Sequence, residues 1–145
     1  MSVYSSKILE LSTNIKNIGH DIDRSDPNYS ISHKVSKICG SEITIEIIYN
    51  REKQIVEDFS INPKACALGQ ASASILSHSI IGASANEIFK SRDNLKKILK
   101  ENGQLPDGRF WEMRYLEPIS EYPSRHASTM LAWDAACAAL EGIGI

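Results

Sequence analysis

The chain has 145 residues and a mass of 16.1 kDa, which is the size of one domain, and we expect residues 1–145 to form it. Hydrophobic residues make up 42% and charged residues 23%, so the sequence predicts a folded core rather than disorder. A formal net charge of −2 argues against a nucleic-acid-binding surface or a polybasic membrane patch. No apolar run approaches the ~20 residues of a membrane span, and Met1–Leu11 lacks the apolar core of a signal peptide. Three cysteines do not make a secreted disulfide framework, so we expect a cytoplasmic protein with reduced thiols.

The chain begins with a pattern that predicts a helix. Its apolar stripe, at helical spacing, consists of Tyr4, Ile8, Leu11, Ile15 and Ile18. Ser5 or Ser6 is a suitable N-cap, and Gly19 follows the last stripe residue as a stop. The polar stretch from His20 to Tyr29 is predicted to be a loop.

Three strands are predicted next. The first alternates weakly, with Ile31, His33 and Val35 on one face. Ser41–Tyr49 alternates clearly, and Gln54–Ile61 has Ile55, Phe59 and Ile61 on one face. Because only short polar turns separate the strands, an antiparallel arrangement is favoured.

The remainder has helical patterns. They are an Ala- and Ser-rich helix at Cys66–Ile80, a helix opened by a Ser84/Glu87 capping box, a short helix at Trp111–Ile119, and a last helix that starts near Pro123 and stops at Gly142. The order of elements predicts an α+β domain in which helices cover a small antiparallel sheet of about three strands.

The three cysteines differ in their predicted settings. Cys39-Gly40 lies in a turn between two strands, and Cys66 lies at a helix N-terminus, where the helix dipole favours the thiolate. Cys137 lies within an Ala-rich helix and is predicted to be core filler. We therefore expect alkylation of Cys66 first, Cys39 next and Cys137 only on unfolding. From residue types alone, small buried apolar cysteines remain the alternative for Cys39 and Cys66.

No local signature of a metal site or of a catalytic centre is present. The sequence has no Cys-x-x-Cys, no histidine pair at helical spacing, no nucleophile elbow and no phosphate-binding glycine loop. Of the four histidines only His126, beside Arg125 at the start of the last helix, stands near a candidate site. The sequence therefore indicates no enzyme.

Three motifs, taken in order, resemble the NifU/IscU/SufU family of iron–sulfur cluster scaffolds. Cys39-Gly40 resembles the start of the first motif, Cys-Gly-Asp. The segment 66–76 resembles the second, a cysteine followed by an Ala/Ser run that opens a helix. The segment 121–133 resembles the third, in which Tyr-Pro-x-Arg leads to a cysteine and then Leu-Ala-Trp. The long stretch between the second and third motifs is similar to the insertion of the SufU branch.

The sequence departs from the family pattern at two ligand positions. In the family, three cysteines and one aspartate surround a zinc ion or a nascent cluster. The aspartate is replaced here by Ser41, and the third cysteine by Ser128. Only Cys39 and Cys66 remain, and serine hydroxyls are poor ligands for soft metals. Glu42 and His126 lie beside the lost positions, and either remains a candidate replacement.

The resemblance implies a scaffold for iron–sulfur cluster assembly that binds iron, zinc or a nascent cluster, or accepts sulfur, through Cys66 and Cys39. Arg125 and His126 would support that site. Its partners would be a cysteine desulfurase and recipient apo-proteins. The short ligand set implies that zinc or a cluster is held weakly or not at all by the monomer, and a homodimer would restore four thiolates. Two alternatives remain: a degenerate homologue that only docks a partner, and a sulfur-transfer accessory protein.

Overall fold

One antiparallel sheet of three strands forms the centre of the computed structural model, which describes residues 3–145. The strands β1 (Tyr29–Val35), β2 (Glu42–Asn50) and β3 (Ile55–Lys64) are neighbours in chain order, so β2 is central. Both pairs are antiparallel. This confirms the small antiparallel sheet that the alternation predicts.

Helices cover one face of this sheet. They are α1 (Ser6–Ser12), α2 (Ala67–Ser79), α3 (Ala85–Glu101) and α4 (His126–Gly142). Two 3-10 segments, Trp111–Glu121 and Pro123–Arg125, lead into α4. The helix α4 contacts β1, β2, α2 and α3, so it is the central helix of the layer. The predicted α+β fold class is confirmed.

The inner face of β2 supplies the middle of the core. Ile43, Ile45 and Ile47 are each no more than 1% exposed, as the alternation of this strand predicts. A bulge between Ile48 and Tyr49 then changes the register against β3. Because a bulge reverses which residues face inward, Val56 is fully buried at the start of β3 and the predicted Ile55 is not.

The first strand turns its apolar side chains outward. Ser30 and Ser32 are the buried residues of β1, whereas Ile31 and Val35 are exposed. This strand lies at the edge of the sheet, with its inner face under α4. Its small serine side chains let the helix approach closely, a requirement of packing that the apolar pattern did not predict.

The first helix is shorter than its stripe predicts. It begins at the predicted N-cap, where the Ser5 hydroxyl accepts the backbone N–H of Ile8 at 3.2 Å, but it ends at Ser12. The stretch that follows pairs with β3 instead, since the backbone of Ile61 bonds to both Asn17 and Gly19. These hydrogen bonds to β3 take the place of the helical hydrogen bonds that would extend α1 beyond Ser12. As a result, the side chain of Ile18 is 57% exposed.

The other helix predictions agree with the structure. A capping box opens α3: the Ser84 hydroxyl accepts the Glu87 N–H at 3.1 Å, and the Glu87 carboxylate accepts the Ser84 N–H at 3.0 Å. The short helix predicted at Trp111–Ile119 is a 3-10 helix with Pro118 inside it. Within residues 3–145, no helix combines the length and the apolar character that crossing a bilayer requires.

Candidate functional site: two thiols at one end of the sheet

Cys39 lies exposed in the hairpin loop between β1 and β2. The loop is closed by the Ser36 N–H, which donates to the Ser41 carbonyl at 2.8 Å, and by the Gly40 N–H, which donates to the Ser36 carbonyl at 2.8 Å. Gly40 has a φ of 73°, in the left-handed region that favours glycine. The loop therefore holds the thiol outward at the end of the sheet.

Two serine hydroxyls accompany this thiol. The Cys39 Sγ lies 3.1 Å from the Ser41 Oγ. The Ser36 hydroxyl is buried, and within residues 3–145 the Cys39 sulfur is the only acceptor available to it. Ser36, and then Ser41, lower the pKa of the Cys39 thiol, because hydroxyl donors stabilise a thiolate. Ser41 thus favours the anionic form of the Cys39 thiol, which a carboxylate at the same position would oppose.

Cys66 is the N-cap residue of α2 and is half-buried. Its S–H group points to the Ser128 hydroxyl, with 3.6 Å between Sγ and Oγ. The Ser128 hydroxyl in turn donates to the Arg125 carbonyl at 3.1 Å, within the turn that starts α4. The predicted convergence of Cys66 and Ser128, which are far apart in sequence, is confirmed.

A glycine in the first turn of α2 allows this approach. A Cβ atom at Gly69 would lie 3.0 Å from the Cβ of Ala65 and 3.2 Å from the carbonyl oxygen of Ser128. Both distances are tighter than ordinary van der Waals contact. The absence of a side chain at Gly69 therefore sets how closely the start of α4 approaches Cys66.

The two cysteine positions lie at the same end of the sheet. Glu42 begins β2 and pairs in register with Lys64, the last residue of β3. The Cys39 loop immediately precedes Glu42, and Cys66 follows two residues after Lys64. The strand register therefore places both cysteine-bearing segments beside each other, as the sequence motifs predict.

Neither candidate replacement ligand is free to enter this site. The His126 imidazole is buried, and its Nε2 lies 3.0 Å from the Ile119 carbonyl and 3.2 Å from the Ser120 carbonyl, so this nitrogen is a donor to the preceding 3-10 segment. Glu42 lies on the outer face of the sheet, with its carboxylate 3.5 Å from His33 Nε2. Glu42 thus faces away from Ser41, as strand alternation requires.

The donor set does not suit a resident zinc ion. Among residues 3–145, no three His, Cys, Asp or Glu side chains are grouped so that they could hold a metal. The site offers the thiols of Cys39 and Cys66 and the hydroxyls of Ser41 and Ser128. Structural zinc takes four N, S or carboxylate ligands, and a neutral hydroxyl is a hard, weak donor.

The third cysteine belongs to the core. Cys137 is fully buried in α4, and burial raises the pKa of its thiol to about 12. The prediction of core filler is confirmed. The predicted order of the other two thiols is not supported, because Cys39 is exposed with a lowered pKa whereas Cys66 is half-buried. The sequence prediction relied on the helix start at Cys66 and did not include the two hydroxyls beside Cys39 or its exposure.

Two residues that shape the site, Ser36 and Gly69, were not identified as important from the sequence. Ser36 became relevant only because the hairpin closes on it and buries its hydroxyl against Cys39. Gly69 lies inside the second motif, but its contact with the Ser128 carbonyl depends on how α2 and α4 pack. Ser36 and Ser41, five positions apart, flank the Cys-Gly turn, and this spacing is the one local hint of the role of Ser36.

The fold and this thiol pair define a class of cluster-assembly scaffold domains. Residues 3–142 match the NifU-like N-terminal domain, and the chain belongs to that family. It is 30% identical over 105 residues to the iron–sulfur cluster assembly scaffold protein IscU of Thermotoga maritima, and the match covers 72% of each chain. A second relative, the IscU of Streptococcus pyogenes serotype M1, is 24% identical over 97 residues, covering 67% of this chain and 60% of its own.

Solved structures agree with the family. The N-terminal part of a nitrogen-fixing NifU-like protein from Brucella abortus superposes with a TM-score of 0.89 at 40% identity, covering 97% of this chain and 94% of its own. A SUF-system scaffold from Fervidobacterium islandicum AW-1 gives a TM-score of 0.82 at 21% identity, covering 95% of this chain and 96% of its own. The second likeness, at that identity, concerns the fold alone.

Proposed function

We propose that this chain is an iron–sulfur cluster assembly scaffold whose working thiols are Cys39 and Cys66. One observation supports this proposal most directly: both cysteine-bearing segments lie at one end of the sheet, and the Cys66 Sγ is 3.6 Å from the Ser128 Oγ. By the resemblance to the third motif, Ser128 stands where the family has a cysteine. Scaffolds of this family carry clusters and are not enzymes. The residue roles here rest on that likeness and on the geometry of the site.

Cys39 is the thiol best placed to accept sulfur from a cysteine desulfurase. It is exposed, and the Ser36 and Ser41 hydroxyls favour its thiolate, the nucleophilic form. The Cys39 thiolate attacks the terminal sulfur of the donor's persulfide. A sulfur–sulfur bond forms on Cys39, the donor's own sulfur–sulfur bond breaks, and the donor cysteine leaves as a thiolate.

A cluster carried by this chain takes its ligands from more than one molecule. Cysteine-ligated clusters use four thiolates, and each chain supplies Cys39 and Cys66. Two chains, or one chain with a recipient apo-protein, would complete the set. A monomer is therefore expected to hold zinc, iron or a cluster weakly, and delivery to recipients is correspondingly easy.

Anaerobic reconstitution tests this function. The chain is incubated with ferrous iron, cysteine and a cysteine desulfurase, and its visible absorption, iron and acid-labile sulfide are measured after desalting. We expect iron and sulfide bound in a chain dimer, lost in Cys39→Ala and in Cys66→Ala and retained in the core control Cys137→Ala. Equal iron and sulfide in wild type and in a Cys39→Ala/Cys66→Ala double variant would contradict the proposal.

A sulfur-transfer accessory is the second candidate, and the exposure of Cys39 favours it. This role needs one accessible thiolate and no tightly held cluster. Its signature in the same experiment is a persulfide on Cys39 without bound iron. A partner-docking module without chemistry is not favoured, because the curated relatives are cluster assembly scaffolds and because both cysteine-bearing segments lie at one end of the sheet.

A further inference from the structure

A groove runs between α3 and α4 and opens beside the thiol site. Its volume is about 550 Å³, within the usual range for ligand sites. At one end it is lined by Ile38, the neighbour of Cys39, and by Ala127, the neighbour of Ser128. Anything that fills this groove therefore lies against both segments that form the site.

One wall of the groove carries three cations and one carboxylate, that of Asp93. Arg92, Lys96 and Lys100 follow each other at four-residue spacing on α3, so they lie on one helix face over about 12 Å. Arg92 is engaged by Asp93, at 3.2 Å between Nε and Oδ1. Within the described residues, neither Lys96 nor Lys100 lies within 4.0 Å of a carboxylate.

The opposite wall combines apolar and polar side chains. Pro123, Ala127 and Met130 lie beside Asp134 and the buried His126. Asp134 is the one carboxylate of this wall; burial raises its pKa, while Arg92, Lys34 and Lys96 act in the opposite sense. Ile38, at the mouth, is 74% exposed, which is a large apolar side chain left in water beside a thiol. The groove thus offers cations along one side and apolar contacts along the other.

The positive charge extends to the thiols themselves. Lys37 and Lys64 are exposed and lie two residues before Cys39 and Cys66, and Arg125 lies three residues before Ser128. The chain as a whole carries a net charge of −2, whereas Lys37, Lys64 and Arg125 outnumber the carboxylate of Glu42 beside the thiol segments. A surface of this kind attracts acidic partners and orients them before contact.

We propose that the groove docks an extended acidic segment of the protein that delivers sulfur to Cys39, which rests on the proposed function. A length of about 12 Å accommodates about four residues at roughly 3.3 Å each. Carboxylates of that segment would meet Lys96 and Lys100, and an apolar side chain would cover Ile38 and Met130. Docking there places the donor's sulfur next to the Cys39 loop.

The test compares charge-reversed chains in binding to a cysteine desulfurase. The variant Lys96→Glu/Lys100→Glu reverses two exposed groove cations, and Lys90→Glu/Lys97→Glu makes the same charge change at exposed positions of α3 outside the groove. We expect the groove variant to raise the dissociation constant and the KM for the chain about tenfold at low ionic strength, with little change in kcat. The control should bind like wild type, and polyglutamate but not polylysine should compete.

The outcomes separate the groove from the proposed function. If wild type binds the desulfurase through the groove but accepts no sulfur, the docking role of the groove is supported and the proposed scaffold function is refuted. If both double variants bind and accept sulfur as wild type does, the scaffold function is supported and the docking role of the groove is refuted. Binding that is equally weakened by both double variants indicates general electrostatic attraction and overturns the groove, as does an absence of binding by wild type.

Discussion

The thiol of Cys66 lies 3.6 Å from the hydroxyl of Ser128, although 62 positions separate the two residues in sequence. The helix α2 supplies Cys66, and the first turn of α4 supplies Ser128. The resemblance to the family's third motif predicts a cysteine where Ser128 stands, and a neutral hydroxyl is a weaker ligand for soft metals than a thiolate. The two helices therefore bring one thiol and one hydroxyl together at this end of the sheet.

The double change Ser41→Asp/Ser128→Cys should create a zinc site. It adds one thiolate and one carboxylate to Cys39 and Cys66, which gives the anionic set that zinc binds tightly. We expect near-stoichiometric zinc after dialysis against a chelator, measured by elemental analysis, whereas wild type should lose it. The control Ser41→Asp/Ser91→Cys places the new thiol on α3 and should stay empty. Retention of one zinc per wild-type chain would refute the account of the two serines.

Alkylation by iodoacetamide at neutral pH should modify Cys39 first, Cys66 next and Cys137 only on unfolding. Cys39 is exposed with a lowered pKa, and burial raises the pKa of Cys137 to about 12. Mass mapping of partly alkylated protein gives the order. Labelling of Cys137 ahead of Cys39 in folded protein would contradict the buried setting of Cys137.

The pH dependence of this labelling tests the two hydroxyls. The rate at Cys39 should rise with pH around a midpoint below the ordinary thiol value of about 8.5, because the thiolate is the reacting form. In Ser41→Ala and Ser36→Ala the midpoint should move upward, since each removes a donor that stabilises the thiolate. Ser91→Ala, a half-buried serine on α3, serves as control. An unchanged midpoint in both variants would show that neither hydroxyl acts on Cys39.

The substitution Gly69→Ala should separate Cys66 from Ser128. The new methyl group would meet the Ser128 carbonyl oxygen at 3.2 Å, so the start of α4 must move outward. We expect a lower melting temperature and, in the Ser41→Asp/Ser128→Cys background, weaker zinc binding. Gln70→Ala, in the same turn of α2, should leave both measurements unchanged. Full zinc affinity in the Gly69→Ala chain would mean that this close approach is unimportant.

The substitution Ser72→Ala should destabilise the packing of α2 on α4. The fully buried Ser72 hydroxyl donates to the Thr129 carbonyl at 2.6 Å and accepts the indole N–H of Trp133 at 3.1 Å. Alanine leaves the buried indole N–H of Trp133 without this partner and removes a second bond from the Thr129 carbonyl, and an unsatisfied buried donor costs about 1–3 kcal/mol in free energy of unfolding. Urea denaturation measures it, with Ser91→Ala as the control. A loss no larger than that of the control would contradict this role.

The elements that could be predicted from sequence are those with a strong local signal. Alternating isoleucines gave β2 its bounds to within a residue, and the Ser84/Glu87 box marked the start of α3. The predictions failed where long-range contacts decide the structure. Residues 14–19 extend the stripe of α1, yet they pair with β3, and β1 buries its serines because α4 lies against them.

The candidate site likewise combines features that the sequence predicts with features that depend on long-range contacts. The resemblance to the family motifs assigned Cys39, Cys66 and Ser128 to one site, and the structure brings Cys66 and Ser128 within 3.6 Å of each other. The relative exposure of the two thiols could not, because it depends on the closed hairpin and on the contact between α2 and α4. His126 likewise resembled a candidate ligand until its Nε2 proved to bond to the carbonyls of the preceding 3-10 segment.

The most direct test of the central claim is to map where sulfur arrives on the chain. Wild type is incubated with a cysteine desulfurase and cysteine without oxygen, trapped by alkylation, and analysed by peptide mass mapping. The account predicts a persulfide on Cys39, absent in Cys39→Ala and present in Cys137→Ala. Sulfur on no cysteine of the folded wild-type chain, or the same persulfide yield in the Cys39→Ala/Cys66→Ala variant, would contradict it.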